Sequence, residues 1–181
     1  GVRFRLPASM NQVEYFGRGP AENYLDRNAG SMIGLYKSTA EELYFPYVRP
    51  QENGHHTDTR WVSLSTGKKG LLIQADNTIG FNALRNSIED FDDEEATGLP
   101  RQWSNFTPEQ VANHDEAAAK NVLRRQHHIN DITPRDFVEV CVDLKQQGVA
   151  GYDSWGSRPE PAYTLPANRE YNWGFTLIPL K

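Results

Sequence analysis

Short runs of alternating apolar and polar residues, separated by turn-forming residues, dominate this chain of 181 residues. Residues Val2–Leu6 show the pattern, because their apolar side chains alternate with arginines. Side chains on a β-strand point alternately to the two faces of a sheet, so this period predicts strands. Strand follows strand with almost no helical pattern between them, which predicts an all-β, antiparallel architecture. The predicted strands are Val2–Leu6, Gln12–Phe16, Ser31–Lys37, Leu43–Tyr47, Thr59–Leu64, Gly70–Gln74, Gly80–Leu84, Gln102–Asn105, Phe137–Lys145 and Tyr171–Ile178.

One short helix is predicted over residues 108–120. Thr107 suits the N-cap, Pro108 suits the first helical position, and Gln110 completes a capping box. The run Glu116–Lys120 consists of strong helix formers. Because the segment has few large apolar side chains, we expect this helix to lie on the surface of the fold.

Composition excludes several classes of partner and site. The net charge is −5 and the 19 basic residues are scattered, so no nucleic-acid partner is expected. No stretch approaches the roughly 18 apolar residues that a membrane span needs, so no membrane partner is expected either. Cys141 is the only cysteine, which excludes an internal disulfide and a cysteine-built zinc site. We predict no metal site and no cofactor in this chain.

A tryptophan stands in the polar loop Gly151–Gly156. Glycines bracket this loop, and Asp153 and Ser154 favour a turn just before Trp155. An indole held at a loop tip suits stacking on the apolar face of a sugar ring, whereas the alternative is a Trp that plugs the end of a β-sandwich. From these residues alone the two interpretations stay open.

A second polar loop contains Glu52, His55 and His56. A catalytic interpretation makes Glu52 a base and one histidine an acid, as the ring opening of a sugar by a mutarotase requires. A structural interpretation makes the segment a turn with exposed imidazoles, in which Glu52 accepts backbone N–H bonds. We favour the structural interpretation and keep these residues as a possible secondary site.

Several long segments carry a resemblance to a known family: Gly17–Arg27, Tyr44–Gly54, Thr57–Trp61, Asp153–Gly156 and Tyr171–Leu177. Taken together, in order and over nearly the whole chain, they resemble the C-terminal small-chain domain of the large bacterial β-galactosidases. Those enzymes are retaining glycoside hydrolases of the lactose-cleaving type.

The resemblance implies a large, two-layer antiparallel supersandwich related to the galactose mutarotases. It also implies one domain over residues 1–181 that begins inside a longer polypeptide, with its first strand cut at the N-terminus. In the family the catalytic carboxylates lie in a separate (β/α)₈ barrel, which needs about 250 residues of its own. No residue of this chain is therefore expected to be catalytic, and the isolated chain is expected to be inactive towards β-galactosides.

The resemblance further implies that Trp155 stacks on the bound sugar, with Asp153 and Ser154 as neighbouring substrate-binding residues. The family pattern before this Trp is Gly-Gly-Asp-Asp-Ser, whereas this chain has Tyr152 ahead of Asp153, which puts the family's approach to the Trp in doubt.

The expected partners are a β-galactoside sugar and the remaining domains of the same polypeptide, with a homo-oligomer in the intact enzyme. The expected location is the cytoplasm or periplasm of a bacterium, as a soluble protein. A stand-alone carbohydrate-binding module and a mutarotase-like epimerase stay open as alternative functions.

Overall fold

The computed structural model describes residues 1–91, 129–153 and 155–181. These residues form seven β-strands and three short 3₁₀ turns. The turns span Ile88–Asp90, Ile129–Asp131 and Pro161–Tyr163. The strands are β1 (Val2–Pro7), β2 (Gln12–Gly19), β3 (Met32–Thr39), β4 (His56–Ser65), β5 (Gly70–Leu84), β6 (Phe137–Asp143) and β7 (Phe175–Leu180). The predicted all-β, antiparallel fold class is confirmed, and the strands fit an all-β sandwich.

All strands of the described residues belong to one antiparallel sheet with the order β1-β6-β5-β4-β2-β3, and β7 pairs with β5. Strand β5 is 15 residues long and serves two neighbours. Its first part, Gly70–Ala75, pairs with β7, and its second part, Gly80–Leu84, pairs with β6. The opposite strand β4 shifts register on either side of Thr59, next to Asp58 with its positive φ of 53°. Such a register shift is typical of a β-bulge, which locally increases the twist of a strand.

Several strand predictions differ from the structure. Gly70–Gln74 and Gly80–Leu84 are parts of one continuous strand, and the predicted strand Tyr171–Ile178 begins only at Phe175. The strand predicted over Leu43–Tyr47 is wrong. Just before this segment, the Thr39 N–H donates to the Glu42 carboxylate at 3.0 Å, and the Glu42 N–H donates to the Thr39 hydroxyl at 3.2 Å. This reciprocal capping turns the chain. The predicted strand Gln102–Asn105 and the predicted helix at residues 108–120 lie outside the described residues.

The core is built from the inward faces of the central strands. Tyr15, His56 and Phe81 form an aromatic cluster, with ring centroids 4.9 to 5.1 Å apart. Aliphatic side chains surround it, and all of them are buried: Val13, Val62, Leu64, Ile73, Ile79, Val138, Val140 and Val142. Burial of this apolar surface is the main force that holds the sheet together.

The chain divides into two compact units. The first comprises Gly1–Phe45, Asn53–Arg85 and Arg135–Lys181 and contains all seven strands. The second comprises Pro46–Glu52 and Asn86–Pro134. Within its described part, the Asn86 amide donates to the Thr133 carbonyl at 2.9 Å, and the Asp90 carboxylate accepts from the Ser87 N–H at 2.9 Å. No helix of the described ranges has the length and apolar character that crossing a bilayer requires.

Candidate functional site

Trp155 lies at the surface, on the long connection between β6 and β7. Its side chain is 93% exposed, so within the described structure it is not a core residue. The backbone around it takes left-handed conformations at Ala150, Gly151 and Gly156, with φ of 56°, 86° and 82°. Glycine adopts such angles without steric cost, which explains why glycines bracket the loop.

Asp153 shapes the turn that carries the indole. Its carboxylate accepts a hydrogen bond from the Trp155 N–H at 2.7 Å, as in an Asx turn. Nearby, the Tyr152 N–H donates to the Ser157 hydroxyl at 3.0 Å. Asp153, predicted to bind substrate, thus has an observed structural contact, and Ser154 lies outside the described residues.

Asp26 anchors the start of this loop. Its two carboxylate oxygens accept hydrogen bonds from the N–H groups of Val149 and Ala150, at 3.1 and 2.8 Å. A Cβ at Gly148 would collide with the same carboxylate, so glycine is required there for the close approach. The Gly148 N–H donates to the Tyr163 carbonyl at 2.8 Å. No local sequence pattern predicts this anchor, because Asp26 and its partners are more than 120 residues apart.

The motif Gly17–Arg27 is organised by Asn23, which is fully buried. Its amide nitrogen donates to the carbonyls of Arg18 and Ala21, both at 3.1 Å. Its amide oxygen accepts from the N–H and the hydroxyl of Thr57, at 3.0 and 2.6 Å. Asn23 thereby ties this motif to the start of β4, where the second polar loop lies.

The predicted exposure of the imidazoles in that loop is wrong, because His55 and His56 are both fully buried. His55 stacks on Tyr24, and His56 stacks on Phe81 in the aromatic cluster. The long-range ring contacts that bury them could not be seen in a polar local sequence. Glu52, in the second unit, is exposed. The Glu22 carboxylate accepts a hydrogen bond from this loop, donated by the Gly54 backbone N–H at 2.6 Å.

The proton of His55 can be assigned from its neighbours. The amide nitrogen of Asn82 donates to the Asn53 carbonyl at 2.7 Å, so the amide oxygen of Asn82 faces Nδ1 of His55, 2.8 Å away. An amide oxygen only accepts, and Nδ1 therefore carries the hydrogen. Burial lowers the pKa of His55 to about 4, although the Asn82 bond raises it, so the ring is neutral near pH 7.

His56 is also held neutral by its surroundings. Its ring nitrogens lie 3.0 Å from the Gly54 carbonyl and 3.3 Å from the Pro20 carbonyl. Burial lowers the pKa of His56 to about 4 and outweighs the two carbonyls, which raise it. Neither histidine can supply a proton near pH 7. These buried rings therefore do not suit the acid role that the mutarotase interpretation requires.

A cavity of about 80 Å³ lies beside His55. Nε2 of His55 is buried and has no hydrogen-bond partner among the described residues. A Cβ at Gly80 would lie 2.5 Å from that atom, so the ring and the strand approach closely at a glycine. The cavity is lined by Leu25, His55, Thr57, Asp58, Thr78, Ile79, Gly80, Leu144, Lys145 and Gln146. In the described ranges, no group of three or more His, Cys, Asp or Glu side chains is placed to hold a metal ion.

Comparisons with known proteins identify the family. The model of the beta galactosidase small chain family matches residues 1–177. A β-galactosidase of Priestia megaterium is 34% identical over 181 residues, which is 99% of this chain and 14% of that enzyme. A β-galactosidase of Vibrio cholerae is 28% identical over 98% of this chain and 14% of its own length. One from Arthrobacter sp. is 40% identical over 96 residues, covering 50% of this chain and 10% of the relative.

The chain thus spans about 14% of the length of the relatives that it matches from end to end. The matched region contains every segment on which the resemblance was based. The chain belongs to the β-galactosidase small-chain family.

Proposed function

We propose that this chain is the non-catalytic β-sandwich part of an enzyme that hydrolyses terminal β-D-galactose residues, and that Trp155 is its contribution to the sugar site. The observation that carries the proposal is an indole 93% exposed on an anchored loop, in a chain that matches only 14% of a β-galactosidase. Full exposure of so large an apolar ring costs free energy, which a sugar ring and neighbouring domains would recover.

The anchored loop supports this role. Asp26 holds the backbone at Val149 and Ala150, and Asp153 holds the N–H of Trp155 itself. These three hydrogen bonds fix the backbone before a ligand arrives, so less conformational entropy is lost when the indole stacks on it. The catalytic carboxylates would come from the rest of the polypeptide, and a homo-oligomer of that polypeptide is part of the proposal.

Replacing Trp155 with alanine in the full-length enzyme should lower kcat/KM for a nitrophenyl β-galactoside by about 5- to 30-fold. Stacking would remove roughly 50–100 Å² of apolar surface from water, worth about 1–2 kcal/mol. Trp155→Phe keeps an aromatic face and should lose less. Tyr152→Phe, on the same loop, is the matched control and should stay near the wild-type value. Unchanged kinetics for Trp155→Ala would contradict the proposed role.

The isolated chain of 181 residues should not turn over a nitrophenyl β-galactoside, whereas the full-length enzyme assayed in parallel should. Retaining hydrolysis needs a nucleophile and an acid/base carboxyl about 5–5.5 Å apart, and we place that pair elsewhere in the polypeptide. A rate that one Asp or Glu substitution in this chain abolishes would overturn the proposal.

A stand-alone carbohydrate-binding module is a second candidate, because it would also present an exposed Trp. The β-galactosidase family model and a β-galactosidase relative match almost the whole of this chain, which favours a domain of such an enzyme over a stand-alone module. Micromolar binding of lactose by the isolated chain, lost in Trp155→Ala, would favour the module instead.

A further inference from the structure

The cavity beside His55 contains a polar atom whose hydrogen-bonding needs are not met. Since Nδ1 carries the ring hydrogen, Nε2 presents a lone pair without a donor, and both His55 and the neighbouring Gly80 line the cavity. A buried acceptor without a donor costs about 1–3 kcal/mol. A ligand that supplies a donor would recover that free energy.

The chemistry of the cavity favours a neutral hydroxyl over a metal ion. Among its lining residues, His55 and Asp58 are the only metal-ligating side chains, and Asp58 already accepts from Arg18 Nε at 2.6 Å. Lys145 adds a positive charge to the same lining, which disfavours a cation further. The remaining side chains combine apolar surface from Leu25, Ile79 and Leu144 with the polar groups of two threonines and a glutamine.

Its size limits what can enter. A volume of about 80 Å³ is larger than a single water requires. It is also only about half of the roughly 150 Å³ cavity that encloses a benzene ring. A whole pyranose ring does not fit, but a short arm with one apolar carbon and one hydroxyl does.

We propose that this cavity binds the hydroxymethyl arm of a monosaccharide, whose hydroxyl donates a hydrogen bond to Nε2 of His55. The aliphatic side chains contact the methylene group, and the polar lining faces the hydroxyls of the ring. The ligand is therefore a neutral hexose with a free primary hydroxyl.

The test compares two sugars that differ only in this hydroxyl. The chain of 181 residues, labelled with ¹⁵N in histidine, is titrated with D-galactose and with D-fucose, which is 6-deoxy-D-galactose. We expect D-galactose to shift the Nε2 resonance of His55 saturably, and D-fucose to bind about tenfold more weakly, because it lacks the donor. No shift with D-galactose means that the cavity holds water only and overturns the proposal, as does equal binding of both sugars.

Two variants complete the test. Gly80→Ala places a methyl group in front of Nε2 and should abolish the shift; if this variant does not fold, the comparison of the two sugars decides alone. Tyr152→Phe should leave the His55 titration unchanged, because Tyr152 is not among the residues that line the cavity. Absence of a His55 response to D-galactose in the unsubstituted chain, together with an intact effect of Trp155→Ala on catalysis, would reject this inference and leave the proposed function standing.

Discussion

Lowering the pH from 7.5 to 5 is expected to reduce the free energy of unfolding of this chain by about 4 kcal/mol. Burial lowers the pKa of both His55 and His56 to about 4 in the folded chain, against about 6.5 when unfolded. Below pH 6.5 the unfolded chain therefore binds more protons than the folded one. The stabilisation is complete above about pH 6.5 and is lost as the pH falls towards 4, by about 2 kcal/mol per histidine at pH 5.

Urea unfolding, followed by Trp fluorescence at pH 7.5, 6.5, 5.5 and 5, measures this effect. Asp143 has the opposite effect on the free energy of unfolding. Burial raises the pKa of its carboxyl, so its contribution to stability increases as the pH falls. The matched control is His55→Phe, which keeps an aromatic ring against Tyr24 and removes one titrating group. It should be less stable at pH 7.5 and lose about half as much stability as wild type on acidification. A free energy of unfolding that stays constant from pH 7.5 to 5 would show that the two rings are not buried in the neutral form.

Replacing Asn23 with alanine is expected to lower the free energy of unfolding by about 3–5 kcal/mol. The amide of Asn23 makes four hydrogen bonds in a fully buried position. Alanine would leave two carbonyls, the Thr57 N–H and the Thr57 hydroxyl without these partners, and each unmet buried group costs about 1–3 kcal/mol before any relaxation. Partial relaxation of the loop keeps the total below the sum.

Asn11→Ala is the matched control, because the same amide is removed from an exposed hydrogen bond with Glu41. It should cost less than about 1 kcal/mol. Asn23→Asp, which keeps the shape and the acceptor but loses both donors, should be destabilised nearly as much as the alanine variant. Equal stability of the Asn23 and Asn11 variants in chemical denaturation would refute the assigned role of Asn23.

Much of the fold follows from local patterns. Alternation along Val2–Leu6 and Phe137–Lys145 places β1 and β6 within one or two residues of their observed ends. Alternation cannot show that Gly70–Gln74 and Gly80–Leu84 join in one strand, since residues 76–78 between them are all polar. Pairing of Ala75 with β7 and of Ile79 with β4 continues the strand across this gap. The strand predicted at Leu43–Tyr47 failed because the capping pair of Thr39 and Glu42 outweighed the apolar content of the segment.

The candidate site also has one part that local sequence predicts and another part that it does not. Glycines at 151 and 156, with a turn-forming Asp153, predict a loop at Trp155, and the backbone angles there are those that glycine permits. The anchor at Asp26 and the environment of the two histidines depend on contacts between residues far apart in sequence, such as Asp26 with Ala150 and His56 with Phe81, for which the local sequence has no signal.

By itself, the sequence determined the fold class, the family and the position of the loop that carries Trp155, because strand alternation, long motifs and glycine conformation are properties of neighbouring residues. Only the tertiary structure decided that His55 and His56 are buried and neutral and that Asp26 anchors the loop. Burial and protonation depend on which distant side chains exclude water from a group, and that is settled when the strands come together.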